Sequence, residues 1–198
     1  MNLEKSCEAS VKMLEFEKKI LLSAEEYQFL NLHFFANAKT VHQNNYYFDT
    51  EKLELNDKKI TARIREINGT FKSMIKDHSA TQADCSVENL CTTSQNYDDA
   101  YFVQMGLVCH GKLHTERKIL VVGDVQLMLD KNSFLGVVDY ELEIEYQAGF
   151  ENNALMLIKQ ISDSLNQNAL SNNSDDFKNR IGIGKTKSER FFERKITM

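Results

Sequence analysis

Glu15-x-Glu17-x-Lys19 puts two carboxylates and an ammonium on every second residue near the start of the chain. In a β-strand successive side chains point to opposite faces. These three therefore share one face, while Leu14, Phe16 and Ile20 lie on the other. Carboxylates packed that closely are tolerated in two ways: the face is solvated, or a cation sits between them. The pattern recurs in Asp139-Tyr140-Glu141-Leu142-Glu143-Ile144-Glu145-Tyr146, which alternates carboxylates with aromatic and aliphatic residues. Basic residues gather on other segments: Arg63 and Arg65, Lys72 and Lys76, Arg117, and Lys185 with Lys187 near the C-terminus. The two signs are thus segregated by strand. In a closed barrel all these faces can point into one lumen. Carboxylates that share a hard divalent cation, set opposite arginines and lysines, make a site for a metal-bound polyphosphate. Mg²⁺ binds a few carboxylates together with phosphate oxygens, Arg offers phosphate a two-pronged fork, and Lys offers a compact charge.

The elements that must position these groups are legible from period and punctuation. Leu14–Ile20 reads as a strand, and Ser23-x-x-Glu26 as a capping box opening a helix with Tyr27, Leu30 and Phe34 on one side. Strands are expected over Val41–Asp49, Lys59–Ile67 and Thr70–Lys76, the last two joined by the hairpin turn Asn68-Gly69. Residues 77–97 carry no assignable pattern. A short helix over Asp99–Met105 is closed by Gly106, and strands follow over Leu113–Val122, Val125–Asp130 and Asp139–Tyr146. The apolar stripe Leu155, Ile158, Ile161, Leu165 predicts a helix over Asn153–Leu165. Residues 166–180 read as a loop, and Thr186-x-x-Glu189 caps a C-terminal helix. The expected class is α+β, mainly β, as a single domain over residues 1–198.

Composition narrows the function. No apolar run approaches a membrane span and no signal peptide is recognisable, so a cytoplasmic protein is expected. A net charge of −5 argues against broad nucleic-acid binding but leaves room for a local anion site. Cys7, Cys85, Cys91 and Cys109 lack zinc spacing and read as reduced thiols, and the five histidines form no ligand pattern. Gly182-Ile183-Gly184-Lys185-Thr186 invites comparison with a phosphate-binding P-loop. The required first glycine falls at Asn179, however, and only 12 residues follow Thr186, so that reading is set aside.

Taken in order, these motifs resemble the CYTH superfamily, the triphosphate tunnel metalloenzymes, and especially small bacterial members such as thiamine triphosphatases and inorganic triphosphatases. The matching elements are Glu15-x-Glu17-x-Lys19, Tyr47-Phe48-Asp49-Thr50, Arg63-Ile64-Arg65, the strand ending in Lys76, and His114-Thr115-Glu116-Arg117. Asp130, Tyr140-Glu141-Leu142-Glu143 and Lys185-x-Lys187 complete the set, over roughly residues 12–193. The resemblance implies a closed antiparallel eight-stranded β-barrel with flanking helices and a requirement for Mg²⁺ or Mn²⁺. It implies metal ligands at Glu15, Glu17, Glu141, Glu143 and Asp130, and phosphate ligands at Lys19, Arg63, Arg65, Lys76, Arg117 and Lys185. Lys19 and Tyr47 map to a catalytic lysine–tyrosine pair. The implied partner is a small-molecule triphosphate, with no membrane and no nucleic acid; a homodimer is left open. The implied activity is a metal-dependent triphosphate hydrolase, with a non-catalytic triphosphate binder and an adenylate cyclase as alternatives. One departure stands out: Cys85 falls where the family carries a glutamate, with Asp84 and Glu88 off register.

Overall fold

The structure is a computed structural model that describes residues 11–78, 85–168, 177, 179–182 and 184–198, with the backbone alone for 11–15, 85 and 86. The strands are β1 (Val11–Leu22), β2 (Lys39–Asp49), β3 (Ile60–Ile67), β4 (Thr70–Asp77), β5 (Cys85–Ser94), β6 (Val108–Val122), β7 (Val125–Phe134) and β8 (Val137–Tyr146). The helices are α1 (Ala24–His33), α2 (Glu54–Asp57), α3 (Ala100–Gln104), α4 (Glu151–Gln167) and α5 (Lys187–Ile196). The protein is therefore mainly β, with antiparallel strands and flanking helices.

Two compact units divide the chain. The first takes residues 1–14, 43–114 and 187–198; the second takes 15–42 and 115–186. In the first, β2-β3-β4-β5 form a continuous antiparallel ladder. The β3–β4 connection is the expected Asn68-Gly69 turn, with φ of 50° and 75°. Positive φ at both central residues matches the right-handed twist of the flanking strands, and Asn and Gly adopt it at little cost. Residues 85–94, left unassigned by pattern, form β5. A register shift in the β4–β5 ladder pairs Ser73 with Thr92 but Met74 with Leu90, so Cys91 is the extra residue of a bulge. One face of this sheet buries Phe48, Ala62, Ile64 and Ile75 with Leu55, Phe102 and Leu107. The other carries Asn45, Tyr47, Arg63, Arg65, Lys76 and Glu88, because cross-strand partners share a face.

In the second unit β8 is the central strand, paired with β7 on one side and β1 on the other. Ile20, Leu22, Leu127, Leu129, Leu142 and Ile144 point to one face and pack with Leu30 of α1 and Ile158, Ile161 and Leu165 of α4. Each fully buried aliphatic side chain contributes about 1.5–3 kcal/mol. A one-residue slip of β1 would exchange Ile20 for Lys19 in that core, which is why the register holds. The capping box forms as expected: Glu26 N–H donates to Ser23 Oγ at 3.2 Å, and Ser23 N–H to Glu26 Oε2 at 2.7 Å. Lys18 lies on the core-facing side and escapes by its length, reaching Glu151 at 3.1 Å. β7 extends four residues past its expected end to Phe134, and the tight turn is Leu135-Gly136, with φ of 45° and 76°.

Candidate functional site

The second unit carries an acidic face. In the β1–β8 register Glu17 stands opposite Glu145, Lys19 opposite Glu143 and Leu21 opposite Glu141; in β7–β8, Asp130 stands opposite Glu141. Like charges directly opposed across strands are destabilising. Among the described residues, Glu17, Glu143 and Glu145 each bring a carboxylate oxygen within 4.8 Å of the others. Lys19 Nζ donates to Glu17 Oε1 at 2.8 Å. Burial opposes the charge on Lys19, but Glu17, Glu141 and Glu143 outweigh it and hold the ammonium pKa above its ordinary value. Arg117 Nε and Nη2 grip Asp130 Oδ1 and Oδ2 at 2.8 and 2.6 Å, and Nη2 also donates to Glu143 Oε2. Burial again works against this charge, and Glu143 and Asp130 overcome it, raising the Arg117 pKa well above the usual guanidinium value.

The donor chemistry suits a hard cation. Mg²⁺ bonds of about 2.1 Å place ligand oxygens roughly 3–4.2 Å apart, so the cluster needs only a small contraction to close on an ion. Of the expected metal set, Glu17 and Glu143 lie in this cluster, while Glu141 and Asp130 lie outside it on the same face. The Glu15 side chain lies outside the described residues. Glu145 completes the cluster. Its signal was the unbroken alternation of β8, and only the partner strand shows which of those carboxylates meets Glu17.

The first unit carries the basic face. Arg63 Nη2 donates to Glu88 Oε1 at 2.5 Å, and Arg65 Nε to Asn45 Oδ1 at 3.1 Å. Glu88 is 2% exposed and faces Lys76 in the β4–β5 register. Glu88 thus stands on the basic face level with Lys76, although the resemblance sets it off register. Cys85 lies in β5, and its side chain is outside the described residues. Tyr47 is fully buried against Phe191 and Phe192 of α5, and its hydroxyl has no hydrogen-bond partner among the described residues. Burial raises its pKa against the pull of Arg63, Lys187, Arg65 and Arg190, so Tyr47 is a neutral phenol rather than a base. Lys187 is 9% exposed at the start of α5, where Ser188 Oγ meets Thr61 Oγ1 at 2.7 Å. Lys185 is exposed. Lys19 and Tyr47, expected as a pair, fall in different units.

A family model described as the CYTH domain matches residues 13–178. This chain belongs to the CYTH domain family. Among solved structures, a Bacillus halodurans protein described as a candidate adenylate cyclase is similar to this CYTH chain at 25% identity and TM-score 0.66, covering 91% of this chain and 98% of that one. A candidate adenylyl cyclase from Hippeastrum, described as having a dominant triphosphatase activity, matches at 19% identity and TM-score 0.54, over 75% and 87% of the two chains. The PH1012 protein of Pyrococcus horikoshii matches at 18% identity and TM-score 0.54, over 84% and 98%. At these last two identities the likeness speaks for the fold alone. No curated protein matches the chain.

Proposed function

We propose that this CYTH protein is a metal-dependent triphosphatase acting on inorganic triphosphate or an organic triphosphate. The observation that carries the reading is the Glu17–Glu143–Glu145 cluster, with Glu17 and Glu145 directly opposed across two strands. In this reading the cluster, with Glu15 and Glu141 beside it in sequence, holds Mg²⁺ or Mn²⁺. Such an ion, when bound, neutralises phosphate charge and lowers the pKa of a coordinated water. Arg63, Arg65, Lys76 and Lys185 bind the polyphosphate chain. Lys19, fully charged at neutral pH, supplies positive charge where negative charge develops on the transferring phosphoryl group. Tyr47 serves as a neutral hydrogen-bond donor rather than as a base. Closure of the eight strands into a barrel, and the working of residues 1–198 as one functional domain, belong to this reading.

Glu88 favours hydrolysis over mere binding, since it supplies a buried carboxylate beside Arg63 and Lys76. A phosphate-release panel with inorganic triphosphate, ATP and thiamine triphosphate, each with Mg²⁺ and Mn²⁺, tests the reading. Metal-dependent phosphate release that EDTA and Glu17→Gln both abolish is the expected result. Tight binding of every substrate without release would establish the non-catalytic binder instead. Pyrophosphate and a cyclic nucleotide from ATP would establish the cyclase activity suggested by the description of the Bacillus halodurans relative.

A further inference from the structure

The stretch of the second unit that leads to Lys185 is tied down at successive residues. Phe177 is buried in the core that holds Ile20 and Leu30. The Arg180 guanidinium lies 5.5 Å from the centre of the Phe177 ring. Its Nη1 donates to the Leu21 carbonyl at 2.8 Å and to Glu26 Oε2 at 3.2 Å, and its Nη2 donates to Glu26 Oε1. Gly182 N–H donates to the Lys19 carbonyl at 3.0 Å. A Cβ placed on Gly184 would stand 3.4 Å from Leu21 Cγ, so the backbone just before Lys185 rests on that side chain. Leu21 shares its β1 face with Glu17 and Lys19. The strap thus ends over the face that carries the proposed catalytic lysine. Glu26 does two things at once. It accepts the Ser23 N–H that closes the capping box of α1, and it takes Arg180 through both oxygens. At 2% exposure this carboxylate is costly without a cation, so the start of α1 draws Arg180 to one place. Gly182 and Gly184 lie between Arg180 and Lys185, so the stretch has little stiffness of its own and depends on these anchors.

We propose that Arg180, held by Glu26, is a positioning residue: it fixes the strap along β1 so that Lys185 meets the triphosphate beside Lys19. Neither Arg180 nor Glu26 is itself a substrate ligand. This inference rests on the reading of Lys185 as a phosphate ligand.

The test is tripolyphosphate binding by calorimetry, in chelated, metal-free buffer, to the full chain and its variants. Glu26→Gln is the chosen perturbation because glutamine also serves at this position of a capping box. The start of α1 is kept while Arg180 loses its ion pair. Lys185→Gln is expected to weaken binding about 10-fold, the loss of one charge-assisted bond. Glu26→Gln is expected to weaken it about 3- to 10-fold, the cost of ordering a freed segment on binding. Because Arg180 acts through Lys185, the double variant Glu26→Gln/Lys185→Gln should bind no more weakly than Lys185→Gln alone. A purely structural role would not produce that coupling. Should Glu26→Gln fail to fold, Arg180→Gln carries the same test, at a side chain that is 32% exposed. A wild type that binds no tripolyphosphate, or Lys185→Gln binding as tightly as the wild type, overturns the phosphate reading of Lys185 and this inference together. Weakened binding in Lys185→Gln, with Glu26→Gln still matching the wild type, overturns this inference alone. Losses that simply add in the double variant also overturn it, since Arg180 would then act on the fold or on the phosphates directly.

Discussion

Replacing Glu145 by Gln separates a metal ligand from a structural carboxylate, because the two roles predict opposite signs in the absence of metal. Glu145 lies opposite Glu17 in the β1–β8 register, with its carboxylate within 4.8 Å of those of Glu17 and Glu143. At that separation each like-charge pair repels by about 3.5 kcal/mol at an effective dielectric of 20. Lys19 and Arg117 offset much of this, leaving a net cost nearer the ~1 kcal/mol measured for opposed like charges across strands. For a chain of this length ~1 kcal/mol corresponds to about 2–4 °C in Tm. Metal-free Glu145→Gln is therefore expected to melt about 2–4 °C above the wild type. Mg²⁺ should reverse the order. A ligand at a hundred times its Kd stabilises by about 2.7 kcal/mol, or roughly 5–10 °C here, and the variant should lose most of that gain. The assay is thermal unfolding of both proteins in EDTA and in saturating Mg²⁺. A metal-free variant that melts below the wild type would refute the reasoning, since Glu145 would then be held by a structural partner that the substitution breaks.

Two further outcomes follow from buried tyrosines. Tyr47→Phe removes a hydroxyl that is buried and unpartnered, so it should leave the metal-free Tm unchanged or raise it by up to ~1 kcal/mol of stability; an accompanying loss of kcat at constant KM would place the phenol in the reaction, whereas a lowered Tm would reveal a structural bond. The Tyr27 hydroxyl is pushed up to about 12, chiefly by burial and further by Glu116, Tyr140 and Asp130. Its proton is held more tightly in the folded than in the unfolded chain, so stability is intact below the unfolded pKa of about 10 and declines as pH rises from there toward 12. Tyr27→Phe should flatten that alkaline decline in a pH series of urea midpoints, and an unaltered slope would count against the burial account.

Much of the fold was written in local rules. Period-2 alternation located the strands bearing Glu17, Arg63, Arg117 and Glu143, because each has one face that must enter a core and one that cannot. Ser23 with Glu26, and Asn68 with Gly69, announced a helix start and a hairpin through interactions spanning only a few residues. The family, too, was legible, since it is carried by motif order along the chain. What only the tertiary structure decided was pairing. β8 offers four carboxylates at equal spacing, and the β1 register alone selects Glu145 to face Glu17 and sets Glu143 beside Lys19. Glu88 faces Lys76 because one extra residue at Cys91 shifts the β4–β5 pairing, and nothing in the run from Cys85 to Ser94 marks that bulge. The sequence shows Arg117 as a cation on a strand but not what it meets. Its partners lie 11, 13 and 26 residues away, on β7 and β8. Sequence spacing states which groups can share a face; the free energy of burying a charge depends on which partners the folded chain brings within reach.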